Sequence, residues 1–434
     1  MKKRLALLLA TLGVLGSLCV LGVPLSLSAA GPSAKPEDVG MSSDRLRRVH
    51  DLVQRHIDAK NFSGAVTLVA RNGRVAHLEA HGLMDLESKK PMAADGIFRI
   101  MSMTKPIVGT AILMLVEEGK VRITDPVSRF IPELKGVKVA VAQPLVAGPP
   151  PPAGTTVEPR FYAIPADREI TVKDLLTHTS GLVSGTISNR EAGKVGLKGK
   201  ETLADYLPRL GGVPIEFQPG TRWAYSAQAG FDALLRIVEV ASGQRADRFL
   251  NQRIFDPLGM KDTYFYPAEG NPRFVTLYRK TPAALEKQNN PNFMNGAYFS
   301  GGGGLFSTAE DYLQFAQMLL NGGQLNGKRL LAPRTVDVMR TAFIPDTLPG
   351  RAAGEGYGLG VRVVTNPAAR STFLSQGSYG WSGAYGTHFW IDSKEKIVGI
   401  LMSQTANQAI RPDFENAVMH AILEPAPAVD GRTN

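Results

Sequence analysis

Ser102 and Lys105 stand three residues apart in the run Phe98-Arg99-Ile100-Met101-Ser102-Met103-Thr104-Lys105-Pro106, ahead of an apolar stretch that ends near Gly119. On a helix that spacing puts a hydroxyl and an amine on one face, one turn apart. A lysine in its neutral form can take the serine proton, or assist another base that does, and the freed oxygen can attack an acyl carbon. Pro106 is tolerated because its missing N–H falls in the first turn. An S-x-x-K alone also arises by chance, and the plain alternative is a capping Ser102 with Lys105 reaching solvent.

Two more segments bear on this. In Trp223-Ala224-Tyr225-Ser226 the tyrosine lies just before an apolar helix that carries Phe231, Leu234, Leu235, Ile237 and Val238, so its hydroxyl can face a cleft. In Gly380-Trp381-Ser382-Gly383-Ala384-Tyr385-Gly386 the glycines punctuate the entry to a strand, where a backbone N–H can face a ligand. Met101 and Met103 flank the serine and either pack the core or line an acyl pocket. His178 and His388 are read as structural, as is Trp390, a core aromatic. There is no G-x-S-x-G, hence no nucleophile elbow. Neither HExxH nor a clustered His/Asp/Glu set is apparent, so no metal or cofactor is expected. Gly301 to Gly304 lacks the Gly-Lys-Ser/Thr of a phosphate loop and reads as a flexible turn beside the cleft.

The elements that must hold these residues are strands at both chain ends and helices between. Leu46, Val49, Val53 and Ile57 mark a helix from Ser43 to about His56. Asn72-Gly73 joins β-prone runs at 64–70 and 74–80 in a hairpin, and a second hairpin pairs 386–391 with 396–403. Helices are expected at 102–118, 171–177, 226–241 and 307–320, the last opening on a Ser307/Glu310 capping box. A closing helix shows Phe414, Val418 and Ile422 on one face. An α+β architecture follows, with an antiparallel sheet from both ends. The expected division is 31–110 plus 290–434 for the sheet domain and 111–289 for a mostly helical one. Residues 138–168, with Pro149 to Pro152, read as an inserted surface loop.

The 434 residues are 44% hydrophobic and 20% charged, which excludes long disorder. Lys2-Lys3-Arg4, an apolar stretch from Leu5 and small Ser28-Ala29-Ala30 read as an export signal over 1–30. A periplasmic or secreted protein beginning near Gly31 is expected, with membrane anchoring as the alternative if the segment stays uncleaved. Cys19 is the single cysteine, so the mature chain would have no disulfide and no thiolate chemistry. The net charge of +10 drops to +7 without Lys2, Lys3 and Arg4, and the remaining basic residues are scattered. No nucleic-acid partner is expected.

With these motifs in place the chain resembles the serine hydrolases of the class C β-lactamase and penicillin-binding fold, most closely the family VIII carboxylesterases. S-x-x-K is a signature of that group. Leu175-Leu176-Thr177-His178-Thr179-Ser180-Gly181-Leu182, Asp256-Pro257-Leu258-Gly259-Met260 and Gly301-Gly302-Gly303-Gly304-Leu305-Phe306-Ser307-Thr308 extend the likeness from about Lys35 to the C-terminus. The resemblance implies Ser102 as the acylated nucleophile, Lys105 as its activator and Tyr225 as a general base, with the first proton acceptor open between the last two. It implies the N–H groups of Ser102 and Ala384 as an oxyanion hole and Trp381, Ser382, Gly383 and Tyr385 as substrate-binding residues. Ala227 and Trp381 stand where the family's β-lactamases have Asn and Lys. Losing an amide and a cation points from anionic β-lactams toward neutral short-acyl esters, with residual β-lactam hydrolysis. A small-molecule ester or lactam is the expected partner. The rival readings are a β-lactamase or D-alanyl peptidase, and a non-catalytic wall-binding protein of the same fold.

Overall fold

Asn72 and Gly73 hold positive φ, 53° and 74°, the conformation that a tight turn between twisted strands requires and that these two residue types adopt readily. The computed structural model describes residues 34–143, 159–267, 270–291, 294, 296–407 and 409–425. Residues 1–30, expected from sequence to be an export signal, and Pro149 to Pro152 lie outside the described residues. The Asn-Gly turn joins β1 (Gly64–Arg71) to β2 (Arg74–Asp85), followed by β3 (Lys90–Pro91), β4 (Glu355–Tyr357), β5 (Arg362–Val364), β6 (Tyr379–Ser382), β7 (His388–Asp392) and β8 (Ile397–Ser403). They form one sheet in the order β4-β5-β6-β7-β8-β1-β2-β3. Every neighbouring pair is antiparallel, and β1 meets β8 with Leu68 opposite Ile400. Both chain ends thus build the sheet, as the two hairpin patterns predict.

Five helices carry most of the packing: α1 (Ser43–Asp58), α2 (Thr104–Glu117), α3 (Ala229–Ser242), α4 (Ala309–Leu320) and α5 (Ile410–Met419). The period of two in β1 divides its side chains between two cores. Ala65 and Val69 join Val49 and Val53 of α1 and Phe414 and Val418 of α5 on one face. Val66 and Leu68 join α2, α3 and α4 on the other. Helix α2 is apolar on every side and buried from Thr104 to Leu115, as such a helix must be. The division expected at 110/111 falls inside α2, and one apolar core runs through both expected domains. Among the described residues no helix is long and apolar enough to cross a membrane.

Four local expectations need correction. The ends of the 138–168 insert are not loop: Lys138–Ala142 pairs with Phe161–Pro165, because Val139 and Ala140 are buried and Ala140 N–H donates to Ile215 O at 2.8 Å. The segment before α3 is not helical, and that helix opens at Ala229 rather than Ser226; Ser226 Oγ instead accepts from Gly230 N at 3.0 Å. The cap of α4 is Thr308, whose hydroxyl accepts from Asp311 N at 3.1 Å, since Ser307 lies in a short strand and bonds Thr263 Oγ1. Ile422 also lies past the end of α5 and bridges to Met41.

The cap assignment makes a measurable distinction. Thr308→Ala is expected to lower unfolding free energy in urea by about 1 kcal/mol. A loss near zero would mean that Thr308 does not cap this helix.

Candidate active site

Ser102 lies in a 3-10 turn, Met101–Met103, at the head of α2. The turn is held from several directions. Ile100 N donates to Leu305 O at 3.0 Å, Thr387 Oγ1 to Ile100 O at 3.1 Å, and Tyr312 Oη to Met103 O at 2.9 Å. Met101 has φ of 48°, a region that costs a non-glycine residue about 1–3 kcal/mol, so the neighbouring contacts must impose it. Of the two flanking methionines, Met103 is fully buried in the core.

Lys105 has no exposed surface. Its Nζ reaches Ser102 Oγ at 3.2 Å, Ala227 O at 2.6 Å and Gly302 O at 2.7 Å, so three acceptors engage the three donors of an ammonium. The solvent-reaching alternative is therefore excluded. Tyr225 Oη donates to Ser102 Oγ at 2.6 Å, and Lys105 Nζ sits 4.9 Å from the Tyr225 ring centroid. Burial pushes the Tyr225 phenol up, but the Lys105 charge and the hydrogen-bonding groups around its oxygen outweigh it and hold the phenol below its ordinary range. The three sequence-predicted residues are thus brought together, and the tyrosine is the closer partner of the serine.

The turn after β6 closes the opposite wall. A Cβ on Gly383 would lie 2.1 Å from Thr387 Oγ1 and 2.4 Å from Ile100 O, so only glycine lets this turn approach the loop that carries Ser102. Ala384 and Ser102 line the same cavity of about 450 Å³, together with Tyr225, Trp381, Ser382 and Gly383. Tyr385 is not among its lining residues; it is raised by burial, with Arg99 as the opposing charge. Trp381 packs on Tyr225 at 5.6 Å between centroids and edge-on to Tyr357 at 5.2 Å, the aromatic wall expected from its type.

Neither histidine touches Ser102. His178 accepts from Ser226 N at 3.3 Å and packs against Tyr225; burial, reinforced by the Lys105 and Arg351 charges, pushes it well below its ordinary value. His388 lies between Ser382 Oγ, 2.8 Å from Nδ1, and Glu415 Oε1, 3.0 Å from Nε2. Burial brings it to about 4, against the pull of Glu415.

Several residues that matter here were missed from sequence. The expected flexible turn at Gly301 to Gly304 is buried, and a Cβ on Gly302 would meet Gln228 Cα at 2.6 Å. Its conformation is fixed by Asp232, which accepts from Gly302 N at 2.9 Å, Ser300 Oγ at 2.8 Å and Tyr298 Oη at 2.7 Å. Burial raises this carboxyl despite those donors. The signal was present: one acid, Asp232, inside the apolar run Phe231 to Leu235. The cleft is also not free of cations. Arg351, Arg362 and Arg411 line it; Arg351, Arg362 and Arg370 pair with Glu355 or Glu415, and Asp346 adds its charge near Arg351.

The beta-lactamase family profile matches residues 49–422. An uncharacterised protein of Mycobacterium tuberculosis is 35% identical over 371 residues, 80% of this chain and 87% of its own. Esterase EstB of Burkholderia gladioli is 30% identical over 426 residues, covering 92% of this chain and 99% of its own. The solved structure of EstCE1, a hydrolase with promiscuous acyltransferase activity, superposes with a TM-score of 0.72 at 26% identity, covering 88% of this chain and 99% of that one. The chain belongs to the beta-lactamase family, and it is a serine hydrolase.

Replacing Asp232 by Ala leaves three buried donors without their acceptor, each costing about 1–3 kcal/mol. Asp232→Ala is expected to lose at least about 3 kcal/mol in chemical unfolding and most of its turnover. Wild-type stability in that variant would show that the carboxylate does not organise the Gly302 turn.

Proposed function

We propose that this chain is a carboxylesterase that acts on short-acyl esters through an acyl-enzyme on Ser102. The observation that carries the reading is the 2.6 Å contact from Tyr225 Oη to Ser102 Oγ beside a Lys105 whose shortest contacts are to two carbonyls. Tyr225, favoured as a phenolate by the Lys105 charge, takes the Ser102 proton as Oγ bonds to the ester carbonyl carbon. The oxyanion that forms is received by the N–H groups of Ser102 and Ala384. Its collapse breaks the C–O bond to the leaving alcohol, which takes the proton from Tyr225. Water, giving its proton to Tyr225, then attacks the acyl carbon, and Ser102 leaves with that proton as the acid departs. Lys105 supplies charge and alignment throughout. Supporting this reading, EstB and the lovastatin esterase of Penicillium rubens are named as esterases. The basic and apolar N-terminal stretch supports export to the periplasm or medium.

Slow β-lactam hydrolysis is a second reading, favoured by the surplus of guanidinium groups in the cleft, which can receive a substrate carboxylate that Trp381 cannot. Intact mass after fluorophosphonate treatment tests the nucleophile, with p-nitrophenyl butyrate and nitrocefin turnover measured alongside. One adduct, absent in Ser102→Ala, and ester turnover far above nitrocefin turnover are expected. An adduct retained by folded Ser102→Ala would remove Ser102 as the nucleophile. Dominant nitrocefin turnover would make the protein a β-lactamase.

The base is tested separately. Tyr225→Phe is expected to reduce kcat by about 10²–10⁴. In the wild type the reactive form is the deprotonated phenol, so kcat/KM rises with pH and levels off below the ordinary tyrosine value near 10. A variant that keeps the wild-type rate and the same pH limb would remove Tyr225 from proton transfer.

A further inference from the structure

Strand β2 carries His77, Glu79 and His81 at alternate positions, so one face of the sheet presents all three. The ladder places Glu79 opposite Thr67 and His81 opposite Ala65, on the face that α1 covers. Helix α1 adds His50, whose Nδ1 lies 2.6 Å from Glu79 Oε1 and whose ring centroid lies 5.5 Å from that of His81. One nitrogen from each of His50 and His81 and one Glu79 oxygen fall within 4.8 Å of one another. The sequence shows the pattern as His-x-Glu-x-His, a spacing that means little on a helix and brings the side chains together on a strand.

We propose that His50, Glu79 and His81 form a divalent-cation site that clips α1 to β2, with Zn²⁺ the ion that this donor set suits best. Two imidazoles and a carboxylate are borderline nitrogen and oxygen ligands of the kind Zn²⁺ takes at about 2.0–2.2 Å. The preorganised member is His81: it is buried, and Thr67 Oγ1 holds its Nε2 at 3.0 Å and His77 Nε2 at 2.8 Å. The His81 nitrogen that faces the cluster is Nε2, 3.8 Å from Glu79 Oε2, while Nδ1 is buried without a hydrogen-bond partner. The other two members can move to meet an ion, since the His50 side chain is 50% exposed and that of Glu79 36%. A cavity of about 380 Å³ opens beside His50, His77 and Glu79 and gives water access to a fourth coordination position. No residue of this set lines the catalytic cleft, so the clip acts on the junction of helix and sheet and not on the ester reaction.

Calorimetric titration of Zn²⁺ into the chelator-treated full chain tests this, with Co²⁺ absorption as a report on the ligands. One ion per chain is expected, bound at least tenfold more tightly than by His50→Ala or Glu79→Gln, with a visible Co²⁺ band that both variants lose. Zn²⁺ should raise Tm in the wild type alone. Turnover of p-nitrophenyl butyrate should stay unchanged in both variants, and unfolding in chelator should show that they fold. No stoichiometric binding to the wild type, or equal binding by the wild type and both variants, would overturn the proposal. An ester-inactive protein that still binds Zn²⁺ in this way would leave the cation site standing while removing the esterase reading.

Discussion

The cleft depends on a single amine held out of water. Placing Lys105 where no part of it is exposed sacrifices several kcal/mol of hydration, which only well-placed acceptors can restore. Those acceptors come from 122 and 197 residues away along the chain, as the carbonyls of Ala227 and Gly302. One side chain therefore ties α2 to the segment before α3 and to the turn before α4. The same charge holds the Tyr225 phenol below its ordinary range. Folding and chemistry share the interaction, and Asp232 underwrites it by fixing the turn that supplies the Gly302 carbonyl.

A second constraint is the shape of the turn that carries Ser102. Met101 at positive φ is a conformation the chain would not choose locally, and the compensation is non-local. Leu305 and Thr387 hold Ile100, and Tyr312 of α4 holds Met103. The β6–β7 turn can take part only because Gly383 lacks a side chain. Strands from the far end of the chain are thus needed in the sheet for the serine near residue 100 to be presented correctly.

This explains what could be read from sequence. Ser102, Lys105 and Tyr225 are legible because short-range patterns mark them: a one-turn spacing and a tyrosine just outside an apolar helix. The hairpins are legible because turn chemistry is local, as at Asn72-Gly73. Gly301 to Gly304 is ambiguous in sequence because glycine signals both freedom and close approach, and only the packing of Gly302 on Gln228 separates the two. Asp232, Glu415 and the cleft arginines were invisible as a set because their partners are distant in sequence, and the cleft therefore looked less cationic than it is. The histidine and glutamate pattern of β2 carries no signal at helical spacing, because a strand repeats every two residues.

The Ser382–His388–Glu415 chain shows how far geometry alone can mislead. It has the order of a hydrolase triad, with contacts of 2.8 and 3.0 Å. Burial would raise Glu415, but the His388 hydrogen bond, with the Arg362 and Arg370 charges, holds it low and ionised, so Glu415 accepts the Nε2 proton and leaves Nδ1 as the acceptor for Ser382. To act as a base, His388 would have to become an imidazolium with no exposed surface, near Arg362 and Arg411. At about 4 it is a weak base at neutral pH. The chain instead consumes the Ser382 hydroxyl proton and turns that oxygen into a fixed acceptor on the cleft wall. Of the two serines that line the cavity, only Ser102 has beside it a group whose proton affinity the surrounding charge has tuned toward taking its proton.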